Sequence, residues 1–449
     1  MIIIDKVTFP IDTFKKLVTF AEYAFVVIYL ILYSAGVVVL ILMGGVSEGD
    51  NKTPQNFDFA LNRILFFFNY LITFFLLAIR WKKTLYTITS NGLIWILILL
   101  VPISAVWSVE PAKTLSASIA MIGTCLFGLY LASNYSSKKQ LQLLGWSFAV
   151  SIILSFIFAI ALRKYGVMGG IHAGAWRGIY THKNWLGRMM VLGSGVLFLL
   201  ANDARKHRLI TWIGLSIAFL LVLLSRSSSS LLNTIIVLST VSASRALWLH
   251  TKLLIPVVVS AIAFGAIFSL GATSFAETVL GSLGKDLSLT GRADIWPFVI
   301  DKIQERPLLG YGFAVFWNGL QGESAYIWRA LKWSVPDSHN GFLDLWIDLG
   351  FVGFFLFCIT FVQTLIRSVA WIRVTQSWIS LWSLLLLVYL MLSNLSESAL
   401  FSRNSLIWVL YTALVFTLSL EIKKHQKGKD TSLTNNQDGQ EAKVLPYPY

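Results

Sequence analysis

"WISLWSLLLLVYLMLSNLSESALFSRNSLIWVLYTALVFTLSL", residues 378–420, holds two apolar runs, 378–393 and 404–420, joined by a polar connection that carries Glu397 and Arg403. Read as helices, such runs approach the roughly 17 to 25 residues that cross about 30 Å of hydrocarbon. The pattern recurs along almost the whole chain, giving twelve expected spans near 24–45, 61–79, 91–107, 114–132, 142–162, 185–201, 209–224, 231–244, 253–270, 342–366, 378–393 and 404–420. Of the 449 residues, 56% are hydrophobic and 13% charged, against about 25% charged in a soluble domain. The expected class is an all-α integral membrane protein.

The first 23 residues mix Asp5, Lys6, Asp12, Lys15, Lys16 and Glu22 with apolar positions. They lack the order of basic start, short apolar block and small-residue cleavage site that marks a leader, so no cleaved signal is expected. The net charge of +14 does not point to nucleic acid, because the Lys and Arg punctuate loops instead of clustering among exposed aromatics. Cys125 and Cys358 fall inside apolar spans and read as small hydrophobes, supporting neither a disulfide nor a metal site. No Gly-rich phosphate loop is present, which argues against ATP-driven transport by this chain.

Orientation follows from the excess of Lys and Arg in cytoplasmic loops. With an inside N-terminus the inner segments hold twenty such residues, and the short outer loops hold only Lys52, Lys113, Arg226 and Arg403. This divides the chain into a cytoplasmic segment 1–23, nine spans over 24–270, a large outer loop 271–341, three spans over 342–420, and a polar tail 421–449. The tail is expected to be cytoplasmic and disordered for lack of apolar area to bury. A second outward segment is 163–184.

Within the large loop, "LTGRADIWPFVIDKIQERPLLGYG" predicts a helix near 293–305, with Ile295, Trp296, Val299, Ile300 and Ile303 on one stripe. Pro307 stops it, and Gly310 and Gly312 turn the chain. Arg292 stands at its start, where backbone N–H groups and the helix dipole already favour an anion. Further on, His339 sits at the start of the tenth span. Taken by itself it is either a base or a helix-capping, carbonyl-bonding imidazole. Arg177, His182 and Lys183 form a basic cluster in the other outer segment, either holding an anion or simply solvated. Asp344 and Asp348, four apart, share a helix face, and they either orient His339 or bond within the interior.

The set SRSSSS at 225–230, GRADIW at 291–296, ERPLLGYG at 305–312 and SHNGFLDLWIDLG at 338–350 resembles the O-antigen ligase and Wzy-type polymerase superfamily. RGIYTHKNWLG at 177–187 is similar to its exopolysaccharide (succinoglycan-type) polymerase branch. The resemblance covers roughly 177–350 and implies a polytopic, GT-C-like glycosyltransferase of the bacterial inner membrane. Its donor and acceptor would be oligosaccharides on undecaprenyl diphosphate at the periplasmic face. It also implies functional roles for Arg226, Arg292 and His339; the basic cluster of Arg177, His182 and Lys183, and Asp344, are binding candidates on their own residue chemistry.

The chemistry needs such groups. The leaving diphosphate must be held and neutralised, which the planar arginine fork does well, and the acceptor hydroxyl needs a base that titrates near neutrality. Single displacement inverts the anomeric carbon. No metal or cofactor is expected; membrane lipid, a chain-length regulator and export proteins are the expected partners, and nucleic acid is not. Rival readings are a ligase delivering glycan to lipid A core or protein, and a flippase of lipid-linked oligosaccharide. The flippase would need a charge-lined path through the spans, whereas the charges sit mainly at their ends.

Overall fold

The computed structural model describes residues 11–46, 59–203, 206–247, 253–266, 291–395 and 397–441. Among them every regular element is helical, and the only strand-like pairing is an isolated bridge between Val167 and Trp176. Helices satisfy their own backbone polar groups, which is what an apolar chain must do in lipid.

Seven helices are long and apolar enough to cross a membrane, eight if one bent pair is a single span. Between these and four shorter or more polar helices, each of the twelve expected spans finds a helical counterpart among the described residues. The first expected span is broken. Helix α1 (Ile11–Tyr33) begins well before residue 24, and α2 (Val37–Leu42) follows a break at Ala35, whose φ is +56°. The carbonyl freed at Ser34 accepts a 2.6 Å bond from the Trp185 indole. After α3 (Ala60–Ile79), α4 (Trp81–Ile88) and α5 (Leu93–Ile103) bend by 94°. Asn91 and Gly92 interrupt the helix there, and the Trp95 indole bonds the Ile88 carbonyl at 3.2 Å. Then come α6 (Pro111–Asn134), α7 (Ser137–Ala161), the short α8 (Arg163–Gly166), α9 (Lys183–Asp203), α10 (Arg208–Leu224), α11 (Ser228–Ala246) and α12 (Leu254–Ala266).

The large outer loop is only partly within view, since 271–290 lie outside the described residues. Beyond them α13 (Gly291–Glu305) and α14 (Ala325–Leu331) precede α15 (Gly341–Thr375), α16 (Leu381–Asn394) and α17 (Leu406–Glu441). The expected apolar stripe of α13 is buried at Ile295, Val299 and Ile303, while Ile300 is exposed. The expected disordered tail is instead helical through Glu441. Extending an existing helix needs no new nucleus, and no proline interrupts 406–441.

The chain divides into two compact units. The first takes Met1–Asn69, Lys138–Leu238 and Asn404–Leu406. In it α9 and α10 pack along each other, and α9 meets the turn into α11 at Gly187, where a Cβ would lie 2.4 Å from Ser230 Oγ. The second takes Tyr70–Ser137, Ser239–Arg403 and Ile407–Tyr449. There α5 packs on α6 and α15, and α15 on α16.

Residues 291–340 form a loop subdomain of this second unit with its own core of Ile295, Val299, Ile303, Tyr311, Phe316, Ile327 and Val335, joined by Ile347 of α15. The ERPLLGYG stretch locks it to α15. Gly350 breaks that helix with φ +65°, and the freed N–H groups of Phe351 and Val352 donate to the carbonyls of Pro307 (2.8 Å) and Leu308 (3.1 Å). The approach is close enough that a Cβ on Gly350 would fall 2.1 Å from the Leu308 oxygen, and one on Gly310 2.5 Å from the Ile347 oxygen.

Candidate functional site

In the first unit, the segment 163–184 folds against the turn between α10 and α11. Trp176 N–H donates to Leu224 O at 3.0 Å, and Met168 N–H to Ala175 O at 2.8 Å. Arg226 stands in that turn with φ +51°, exposed, while Ser225 and Ser227 on either side are buried. Lys183 Nζ donates to the Arg226 carbonyl at 3.3 Å. Gly174, at φ +84°, lets the neighbouring loop lie against the guanidinium, since a Cβ there would be 3.6 Å from Arg226 Nη1. The rings of His172 and His182 meet edge to face at 5.4 Å. His182 Nδ1 accepts the Asn184 N–H at 3.2 Å, so Nε2 is the nitrogen that carries its proton when neutral. Burial, helped by the Lys183 charge, holds the His172 imidazole below its ordinary value.

The result is a cluster of basic groups drawn from two separate stretches of sequence. Among the described residues no carboxylate forms an ion pair with Arg226 or Lys183. Adjacent cations of this kind favour an anion over a cation beside them.

Arg177 does not belong to it. The expectation of a ligand contact there is corrected by its geometry: it is 1% exposed, and its guanidinium donates to the carbonyls of Tyr165 (2.7 Å), Lys164 (2.9 Å), Thr181 (3.3 Å) and Gly45. Its donors hold backbone together and are not presented to a ligand. Arg188, which the motif reading passed over, is 3% exposed one turn into α9, with its guanidinium 4.0 Å over the Trp185 ring. A buried arginine in an apolar helix is the signal that could have found it.

In the second unit, His339 also adopts a left-handed conformation, φ +50°, a strained backbone for a non-glycine residue of the kind that clusters at functional positions. The turn is held by Asp337 Oδ1, which accepts the His339 N–H at 2.8 Å, and by Asn340, whose Oδ1 caps α15 through the N–H groups of Phe342 (3.0 Å) and Leu343 (3.3 Å). Trp296 Nε1 adds a 3.0 Å bond to the Ser338 carbonyl. The imidazole lies between two carboxylates: Nδ1 is 3.3 Å from Asp337 Oδ1 and 3.9 Å from Glu397 Oε2. Such flanking orients the ring and stabilises its protonated form.

Asp344 sits below this turn, and its Oδ1 accepts from Trp317 Nε1 (2.9 Å) and Ser338 N–H (3.2 Å). It therefore positions the histidine loop, and the expected role of ligand contact falls at most to its other oxygen. Asp344, Asp348, Trp317, Asp337 and Arg403 line a cavity of about 260 Å³. Arg292 is in the first turn of α13, as expected, and its side chain lies outside the described residues.

The bundle and its loop subdomain define a multi-pass helical membrane protein. Residues 213–358 match the family model described as O-Antigen ligase. The match includes Arg226, Arg292, His339 and Asp344 and leaves out Arg177, His182 and Lys183. The chain is also similar to the Exopolysaccharide production protein ExoQ of Rhizobium meliloti, 23% identical over 300 residues, which are 64% of this chain and 67% of that one. A Rickettsia conorii protein named "Putative polysaccharide ligase" is 27% identical over 264 residues, 52% of this chain and 62% of its own. A Rickettsia felis protein of the same name is 23% identical over 266 residues, 57% and 63% of the two chains. The alignments thus span less than two thirds of either Rickettsia protein.

Proposed function

We propose that this chain is a membrane glycan-transferring enzyme that moves a growing polysaccharide from undecaprenyl diphosphate onto a lipid-linked repeat unit at the periplasmic face of a bacterial inner membrane. The observation that carries the reading is the pairing of Arg226 and Lys183, with no carboxylate partner among the described residues, near His172 and His182. A lipid diphosphate is the ligand such a cluster fits, because its negative charge grows as the C1–O bond breaks. Donors fixed where charge develops are commonly the largest catalytic contribution.

In this reading Arg226 and Lys183 of the first unit bind phosphate oxygens, and Arg292 of the second unit has a catalytic role of its own. His339 takes the proton of the acceptor hydroxyl on Nε2, with Asp337 and Glu397 stabilising the imidazolium that forms. The acceptor oxygen bonds to C1 as the diphosphate leaves with the bonding pair, so the anomeric configuration inverts. Both termini are cytoplasmic, and chain-length and export proteins act on the product.

Purified protein incubated with lipid-linked repeat units should yield a ladder of lengthened glycans. Arg226→Ala and Arg292→Lys should remove it, and His339→Ala should slow it by about 10²- to 10⁴-fold. Undiminished lengthening by the His339→Ala protein would sink the role given to the imidazole. The ligase names of the two Rickettsia relatives favour a second reading with the same donor and a different acceptor. One block added to lipid A core in place of a ladder would select it.

A further inference from the structure

A cavity of about 770 Å³ in the second unit lies between the loop subdomain and the start of α6, and His339 is not among the residues that line it. It is lined by Glu110, Lys302, Gln321, Glu323, Tyr326 and Arg329. Its volume is that of a ligand site, within the roughly 300 to 1,000 Å³ such sites occupy. The charged lining is balanced, with two carboxylates against one ammonium and one guanidinium. Most of these charges are also engaged: Glu110 pairs with Lys113 at 2.6 Å and accepts from Asn318 Nδ2, and Lys302 bridges Glu305 (2.8 Å) and Glu323 (3.2 Å). A balanced wall of this kind gives an anion such as diphosphate no advantage. It instead offers many fixed donors and acceptors to a neutral ligand.

Tyr326 supplies the remaining element. Its ring is 43% exposed, and it is held in place by its hydroxyl bond to Asp301 Oδ2 (3.1 Å) and by the edge of Phe298 at 5.6 Å. An immobilised aromatic face beside hydrogen-bonding groups suits the apolar face and hydroxyl rim of a pyranose. Ala330, on the cavity wall, and His339 are nine positions apart, so the two lie within about 30 Å along even a fully extended chain.

We infer that this cavity is a glycan-binding subsite that holds neutral sugar residues of the polymer several units from the bond being made. The inference rests on the glycan-transfer reading for its purpose, but its binding test does not. The probe is a set of hexasaccharides released by mild acid from the polysaccharide of cells that express this chain, titrated against the full-length protein in nanodiscs. Tyr326→Ala and Arg329→Ala should each weaken binding at least tenfold. Tyr326→Phe should stay within about twofold of the parent, and inorganic pyrophosphate should not compete.

In lengthening assays Tyr326→Ala should raise KM with kcat little changed. A rise in the acceptor's KM assigns the subsite to the acceptor, and a rise in the donor's assigns it to the growing chain. If hexasaccharide binds but no lengthening occurs with any lipid-linked unit, the transfer reading fails and the subsite stands. If lengthening is normal and Tyr326→Ala, folded by its unchanged Tm, alters neither binding nor KM, the subsite is overturned and the transfer reading stands.

Discussion

Arg177 and Arg226 carry the same side chain in the same unit and do opposite things with it. The first is buried and gives its donors to four backbone carbonyls; the second is exposed, next to Lys183, with no carboxylate in an ion pair among the described residues. Their alanine variants should therefore part. Arg177→Ala strands buried carbonyls at about 1 to 3 kcal/mol apiece, so the expected result is a lower Tm and less protein in the membrane. Arg226→Ala should leave Tm within a degree or two and weaken pyrophosphate binding at least tenfold, with a shallower salt dependence. Calorimetry and titration on the same preparations check both.

The sequence displayed these arginines and His339 but not their partners. Glu397 stands with Arg403 in the polar connection before α17, and only the fold brings it within 3.9 Å of the imidazole. His172 shares one outer segment with His182, a concentration that six histidines in 449 residues make notable, and only the fold brings their rings together.

At the scale of elements, the break in α15 is what fastens the histidine loop. Gly350 has φ +65°, and any Cβ there would meet the Leu308 carbonyl, so Gly350→Ala combines a strained backbone with a clash. It should cost more than about 1 kcal/mol and release protection of the Phe351 and Val352 amides in hydrogen exchange, whereas Gly92→Ala, which meets open space, should not.

The loop subdomain should also respond to pH. A hydrogen bond from Lys302 holds the Glu305 carboxyl below its ordinary 4.5. Burial works to lower the Lys302 ammonium, but Glu305 and Glu323 outweigh it and hold the group above its ordinary 10.5. The carboxyl's contribution is thus present above about pH 4.5 and lost as pH falls through its depressed value. That of the ammonium is present below about pH 10.5 and lost as pH rises past its elevated value. Exchange of α13 and α14 amides, corrected for intrinsic rate, should be slowest between these limits and accelerate as pH falls through the depressed Glu305 value. Lys302→Met should flatten the profile.

For the molecule as a whole, the charge pattern of the loops predicts which side each faces. In a chain freed of Cys125 and Cys358, a cysteine at the exposed Lys332 should react with an impermeant maleimide on intact spheroplasts. One at the exposed Lys206 should react only after permeabilisation. The reverse labelling would invert the topology and remove the periplasmic reaction.

The all-helical class and the approximate places of the apolar helices were legible from residues alone, because crossing hydrocarbon demands a continuous apolar run and that is a local property of the chain. The same holds for the start of α13, set by its apolar spacing, and for the chemical kinds of group available. What the chain in one dimension could not reveal were the breaks at Ala35 and Gly350, the clamp on Arg177 and the carboxylates around His339. Each depends on a partner far away in sequence: the Arg177 guanidinium reaches a carbonyl 132 residues distant, and Lys183 a carbonyl 43 away. Hydrophobic periodicity is blind to such contacts, since burial and hydrogen bonding decide whether a charged side chain is a fastener or a ligand, and only the folded backbone sets both.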